Sequence, residues 1–176
     1  KDSVITQKTR GFKTNKEKVN AAAALSQHNF DNIDYVLLTW VERLQFVSAN
    51  MLLRLAQAFL PEISNEQLTV EINKWIELFA NNLNFLDTYN IRFTTDNSMD
   101  FYALSEATGV PFLSRLLKKK CYFYRDKSDV GSIVKRLAFN DWFTKFIKKH
   151  REKCVDYNFS IILNSKKYCR IERFLK

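Results

Sequence analysis

The stretch from Asn65 to Leu104 constrains this chain more than any other. Between Asn65 and Phe79, the residues Leu68, Ile72, Trp75, Ile76 and Phe79 recur at three- and four-residue spacing. That spacing gives a helix one apolar face, which has to be buried. Ser64 stands as its N-cap, with Gln67 three residues on in the capping-box position. Asn81-Asn82 is expected to end it, because Asn tolerates the left-handed conformation common just past a helix. Leu83 to Phe93 is rich in aromatic and β-branched residues and predicts a strand. Thr94-Thr95-Asp96-Asn97-Ser98 has turn chemistry, and Phe101 to Leu104 reads as a second short strand.

Two helices precede this unit. Asp34 to Phe46 carries Tyr35, Leu38, Val41 and Phe46, with Leu37 and Leu44 beside them, on a broad apolar face, with Asp31 or Asn32 as cap. Ser48 caps a helix running to Phe59, with Met51, Leu52, Leu55 and Phe59 as its stripe. Only Phe46-Val47 separates the two, so the chain turns sharply there. Pro61 ends the second, since the residue before proline disfavours helical backbone. Three helices with a short link and a four-residue turn are what a tri-helical helix-turn-helix requires. With the two-stranded ribbon behind them they predict a winged helix-turn-helix over residues 31–120.

Ser105 to Lys120 predicts a further helix through Val110, Phe112, Leu113, Leu116 and Leu117, with Gly109-Val110-Pro111 as a start or kink. Cys121 to Tyr124 reads as a short strand and Arg125 to Asp129 as loop. Val130 to Val155 holds the longest helical pattern: Ile133, Val134, Leu137, Phe139, Trp142, Phe143, Phe146 and Ile147. Asp156–Leu163 and Tyr168–Leu175 predict a terminal β-hairpin joined at residues 164–167. The fold class is therefore α+β, mostly helical: a winged helix followed by a basic extension over 121–176 with a long helix and a hairpin. Residues 1–30 are expected to form a basic, flexible arm, polar through Asn20 with a short helix from Ala21 to Asn29.

Composition narrows the class. A 46% hydrophobic fraction suffices for a core, while three Gly and two Pro are too few for the tight turns of a sandwich or barrel. No apolar run approaches the roughly 20 residues that span a bilayer, and no stretch reads as a signal peptide. Three Cys is an odd number without a secretory signal, so reduced thiols and a cytoplasmic setting are expected.

The net charge of +9 suggests a polyanionic partner, and its distribution says more. Residues 1–30 hold 6 Lys/Arg and 2 Asp/Glu, residues 31–106 hold 4 against 11, and residues 107–176 hold 18 against 6. The candidate winged helix is thus acidic, and the positive charge flanks it. On the helix of Asn65–Phe79, the groups able to touch bases or phosphates are Asn65, Gln67, Asn73 and Lys74, alongside Glu66, Glu71 and Glu77. Arg92, with Thr94, Thr95 and Asn97, could reach phosphate from the ribbon, beside Asp96 and Asp100. The larger basic group is Arg115, Lys118, Lys119, Lys120, Arg125, Lys127, Lys135, Arg136, Lys145, Lys148, Lys149 and Arg151. Such cations neutralise phosphates and release counterions. Lys118–Lys120 equally suit the dipole of a helix C-terminus. Tyr122, Phe123 and Tyr124 fit either base stacking or burial in a core.

Nothing in the sequence predicts catalysis. There is no Gly-rich phosphate loop, no Gly-x-Ser-x-Gly and no His-rich ligand set. His150 and Cys154 are four apart, and Cys121 or Cys169 could complete a metal set. Without a Cys-x-x-Cys, buried or idle thiols are the simpler reading. No cofactor and no metal are expected.

Three stretches carry a resemblance. Asp34-Tyr35-Val36-Leu37-Leu38 through Phe46-Val47-Ser48-Ala49-Asn50-Met51-Leu52 forms one. Phe101-Tyr102-Ala103-Leu104-Ser105-Glu106-Ala107-Thr108-Gly109 and Arg136-Leu137-Ala138-Phe139-Asn140-Asp141 are the others. Together they resemble the replication-relaxation, or mobilisation accessory, winged-helix family of bacterial plasmids and mobile elements. The resemblance spans about two-thirds of the chain. It implies DNA handling on a plasmid or integrative element, as in conjugation. The expected partner is double- or single-stranded DNA. The alternative is a protein-interaction or dimerisation module whose acidic winged helix docks a partner.

Overall fold

Four helix starts in this chain are fixed by single polar side chains. The computed structural model describes residues 3–8, 12–121, 129–150, 158–163 and 169–174, the last two ranges by backbone alone. In it Thr14 caps Asn15–Gln27 (α1), Asp31 caps Asn32–Leu44 (α2), Ser48 caps Ala49–Phe59 (α3) and Ser64 caps Asn65–Ile76 (α4). Each cap oxygen accepts an amide three residues on, satisfying one of the donors a helix leaves unpaired at its start. Thr14 and Glu17 form a full reciprocal box, which is why α1 begins at Asn15 rather than Ala21.

After Ile76 the backbone widens into a π-helical stretch, Glu77–Asn82, and Leu83 donates its amide to the Leu78 carbonyl at 2.8 Å. The left-handed residue expected at Asn81 or Asn82 is Asn84, with φ 52°. Strands Leu86–Thr94 (β2) and Asn97–Leu104 (β3) follow, paired antiparallel from Leu86↔Leu104 to Thr94↔Asn97. The second strand starts earlier than its aromatic run, because Asn97 to Asp100 find cross-strand partners. Asp100, for one, accepts from Asn90 Nδ2 at 2.8 Å. Val47, in the link between α2 and α3, exchanges two backbone hydrogen bonds with Tyr102 on β3, at 2.7 and 3.0 Å.

The expectation of a loose Lys1–Asn20 arm is corrected at Val4–Gln7 and from Asn15 on. Val4–Gln7 (β1) pairs antiparallel with β2, Ile5 opposite Ile91, and makes the sheet order β1-β2-β3. An unpaired edge on β2 would leave a row of backbone donors and acceptors open, and β1 covers it. Lys8 Nζ then reaches Asp100 at 2.8 Å.

Gly109–Leu116 (α5) begins four residues later than the sequence suggested, because Ser105 still donates to the Phe85 carbonyl at 2.9 Å. A Cβ on Gly109 would lie 2.0 Å from that same carbonyl oxygen, so the close approach of α5 to Phe85 needs glycine. Pro111 falls in the first turn, where its missing N–H is not required. Lys118 has φ 50°, so Lys118–Lys120 lie beyond the helix rather than closing it.

Val130–His150 (α6) packs against α3 and buries Ile133, Leu137, Asn140, Phe143, Thr144 and Ile147. Of these, Ile133, Leu137, Phe143 and Ile147 join one core with Leu37, Leu38, Phe46, Leu55, Ile72, Phe79, Ile91 and Phe101. Tyr89 stacks on Phe101 at 5.2 Å, and Phe101 meets the Phe46 ring edge-on at 5.6 Å. The hairpin expected at the end is Asn158–Leu163 (β4) paired antiparallel with Cys169–Phe174 (β5). The strand expected at Cys121–Tyr124 and the loop carrying Arg125 and Lys127 fall largely outside the described residues, as does Arg151. Among the described residues no helix is long and apolar enough to cross a membrane.

Candidate nucleic-acid interface

The candidate recognition helix, α4, buries Leu68, Ile72 and Trp75, which turns the opposite side outward. Asn65, Gln67, Asn73 and Lys74 are all exposed, as expected for groups that read DNA. Of these, only Asn73 lies at the middle of the outward face. At 100° per residue, the line opposite the buried stripe runs through Glu66, Val70, Asn73 and Glu77. Val70 is 52% exposed in the centre of it. Lys74 lies 3.9 Å from Glu71, one turn away. The outward line is therefore Glu66, Val70 and Asn73 on α4, with Glu77 just past its end, a poor match to phosphate.

At the tip of the β2–β3 ribbon, Arg92, Thr94, Thr95 and Asn97 are exposed, beside a register shift between Arg92 and Thr94. Asp100 is held by Lys8 and Asn90, leaving Asp96 as the acid nearest the tip.

The basic residues divide into partnered and open ones. Lys119 lies 3.2 Å from Glu42 on α2, and Lys145 lies 2.7 Å from Asp141. Arg115, Lys118, Lys148 and Lys149 are exposed, and the described residues offer them no ion-pair partner. Lys135 is exposed and bears electrostatically on Asp129, while Lys120 is exposed and Arg136 half-buried. Two groups of cations emerge, one past α5 and one along α6. Lys119 meets α2 at Glu42, whereas Phe143 of α6 meets it at Trp40, 6.1 Å between rings. Residues two apart on a helix do not share a face, so the segment after α5 and helix α6 meet α2 on different sides.

The Asn140-Asp141 step has an architectural role. Asn140 Nδ2 donates to the carbonyls of Leu44 at 3.0 Å and Phe46 at 2.7 Å. Between those carbonyls, Gln45 has φ 69°, the turn that ends α2 and aims both oxygens at α6. Asp141 accepts from Arg54 Nη1 at 2.7 Å, and the same guanidinium nitrogen reaches the Asp141 carbonyl and Thr144 Oγ1. Partial burial works to raise the Asp141 pKa. Hydrogen bonds from Lys145 and Arg54, with their charges, outweigh it and hold the carboxyl below its usual range.

A feature the sequence pattern hid lies on the far side of α6. Phe139, Trp142 and Phe146 read as core positions, yet Trp142 is 52% exposed. The rings of Phe139, Trp142, Phe146 and His150 follow one another at 5.8, 5.6 and 4.6 Å. The signal was available in the pattern, whose apolar positions are too many for one face of a helix.

Among the described residues no group of three His, Cys, Asp or Glu could hold a metal. His150 packs on Phe146, Cys121 is buried with its thiol pKa pushed up by that burial, and Cys154 lies outside the described residues. No protein-family model, curated protein or solved structure matches the chain.

Proposed function

We propose that this chain is a non-enzymatic DNA-binding protein of the winged-helix type. In this reading it is a cytoplasmic accessory or regulatory factor of a plasmid or mobile element, held to DNA chiefly by phosphate contacts. The observation that carries it is the set of exposed cations, Arg115, Lys118, Lys148 and Lys149, that no described acid neutralises. Support for the winged-helix class comes from connectivity: α2, the Val47–Tyr102 bridge, α3, α4, then the β2–β3 ribbon. The plasmid setting follows from the three resembling stretches.

Affinity measured against salt tests the phosphate component. Each neutralised phosphate contributes a slope of about −0.9 in log K against log salt. The double variant Lys148→Glu/Lys149→Glu should bind duplex DNA more weakly and flatten the slope by about 2. A slope near zero for the unaltered chain would end this reading. A second reading is favoured by the outward line of α4. Glu66, Val70 and Glu77 suit a basic, partly apolar protein surface, including a second copy, better than a DNA groove.

A further inference from the structure

We propose that the outer face of α6 is a stacking surface for single-stranded nucleic acid, with Trp142 at its centre. This deepens, and rests on, the reading that the basic C-terminal region meets nucleic acid. Phe139, Trp142, Phe146 and His150 recur at three- and four-residue spacing, so they share one stripe of the helix. Consecutive rings lie within 5.8 Å of one another. Phe139 and Phe146 are half-buried, and Trp142 stands out from them at 52% exposure, against 5% for Trp40 and 4% for Trp75. A large ring left in water on a face of α6 turned away from α3 is a surface that awaits an occupant.

The charge around the stripe selects that occupant. Lys135 and Lys149 sit seven residues either side of Trp142, in line with it, over about 21 Å of helix. Both are exposed, and Lys145 is exposed beside the rings with its ammonium shared with Asp141. π-faces between cations match a chain that offers bases and phosphates in alternation. A second copy fits poorly. A two-fold axis through Trp142 would set Lys135 of one molecule against Lys149 of the other, like charge on like charge. Duplex DNA fits poorly too, because its base faces are already stacked on one another and only edges and phosphates are presented.

Anisotropy titrations of the whole chain with a labelled oligothymidylate and a labelled duplex, at one moderate salt concentration, test the proposal. Trp142→Ala should weaken oligothymidylate binding about tenfold while changing duplex binding by less than about twofold. Trp142→Phe should restore most of the loss, and unchanged circular dichroism would show that both variants fold. Since Trp40 and Trp75 are buried, quenching of tryptophan emission by oligothymidylate should vanish in Trp142→Ala. Equal losses for both oligonucleotides, or none for either, while the unaltered chain still binds duplex in a salt-dependent way, would overturn the stacking surface and leave phosphate binding standing. Failure of the unaltered chain to bind either oligonucleotide would overturn both. A concentration-dependent dimer abolished by Trp142→Ala would assign the face to self-association instead.

Discussion

The side-chain amide of Asn140 stands 2.7 Å from the carbonyl oxygen of Phe46 and donates to it. Its second hydrogen goes to Leu44, so one buried residue of α6 satisfies both carbonyls flanking the turn at Gln45. Leucine has the same branched skeleton, somewhat larger, and no donor. Asn140→Leu should therefore leave two buried acceptors open and cost about 2–3 kcal/mol. Urea denaturation should show a lower midpoint at unchanged slope.

Asp141 ties α6 to α3 through Arg54, and its carboxyl titrates below the ordinary aspartate value of 3.8. A depressed folded-state pKa adds stability that is present above the unfolded value and lost as pH falls through the folded one. Asp141→Asn lacks that contribution at every pH. The unaltered protein should be the more stable from pH 7 to about 5, and the gap should narrow below about pH 4 and close in stronger acid. Paired denaturation curves across that range would show it, and a gap that widened on acidification would contradict the sign.

Gly109 opens α5 against the Phe85 carbonyl, with no room for a methyl group. Backbone cannot move aside as a flexible side chain can. Gly109→Ala should cost about 3 kcal/mol, at the upper end of overpacking effects, although alanine is the better helix former. Thermal melting separates the two outcomes, since propensity alone would raise Tm.

The outward line of α4 carries Glu66 and runs on to Glu77, just past the last residue of the helix. If DNA is held by the cations beyond α5 and along α6, Glu66→Lys/Glu77→Lys should leave duplex affinity within about twofold. A recognition helix seated in the major groove would instead gain steeply from two added cations. Mobility shifts at low salt distinguish these.

Much of the fold was legible because it is local. Asp31, Ser48, Ser64 and Pro61 mark helix ends by chemistry confined to one turn. The apolar periodicity of α2, α3 and α4 needed no neighbour to be recognised. The Thr14–Glu17 box was equally local, but a run of lysines masked it as a tail. Asn97 and Ser98 looked like turn, and the second strand was read only from Phe101, because what pairs this segment, including Asn90 and Lys8 on Asp100, lies in other parts of the chain.

The sequence by itself determined where α2, α3 and α4 begin, which of their faces are apolar, and how charge is divided along the chain. Tertiary structure alone decided that β1 closes the edge of β2, that Asn140 holds the turn at Gln45, and that Trp142 faces outward while Phe143 beside it is buried. The reason is geometric. Helix capping and amphipathic spacing act over a few residues. A helix with apolar residues on most of its circumference, as α6 has, takes its inside from the position of α3, which lies some eighty residues earlier in the chain.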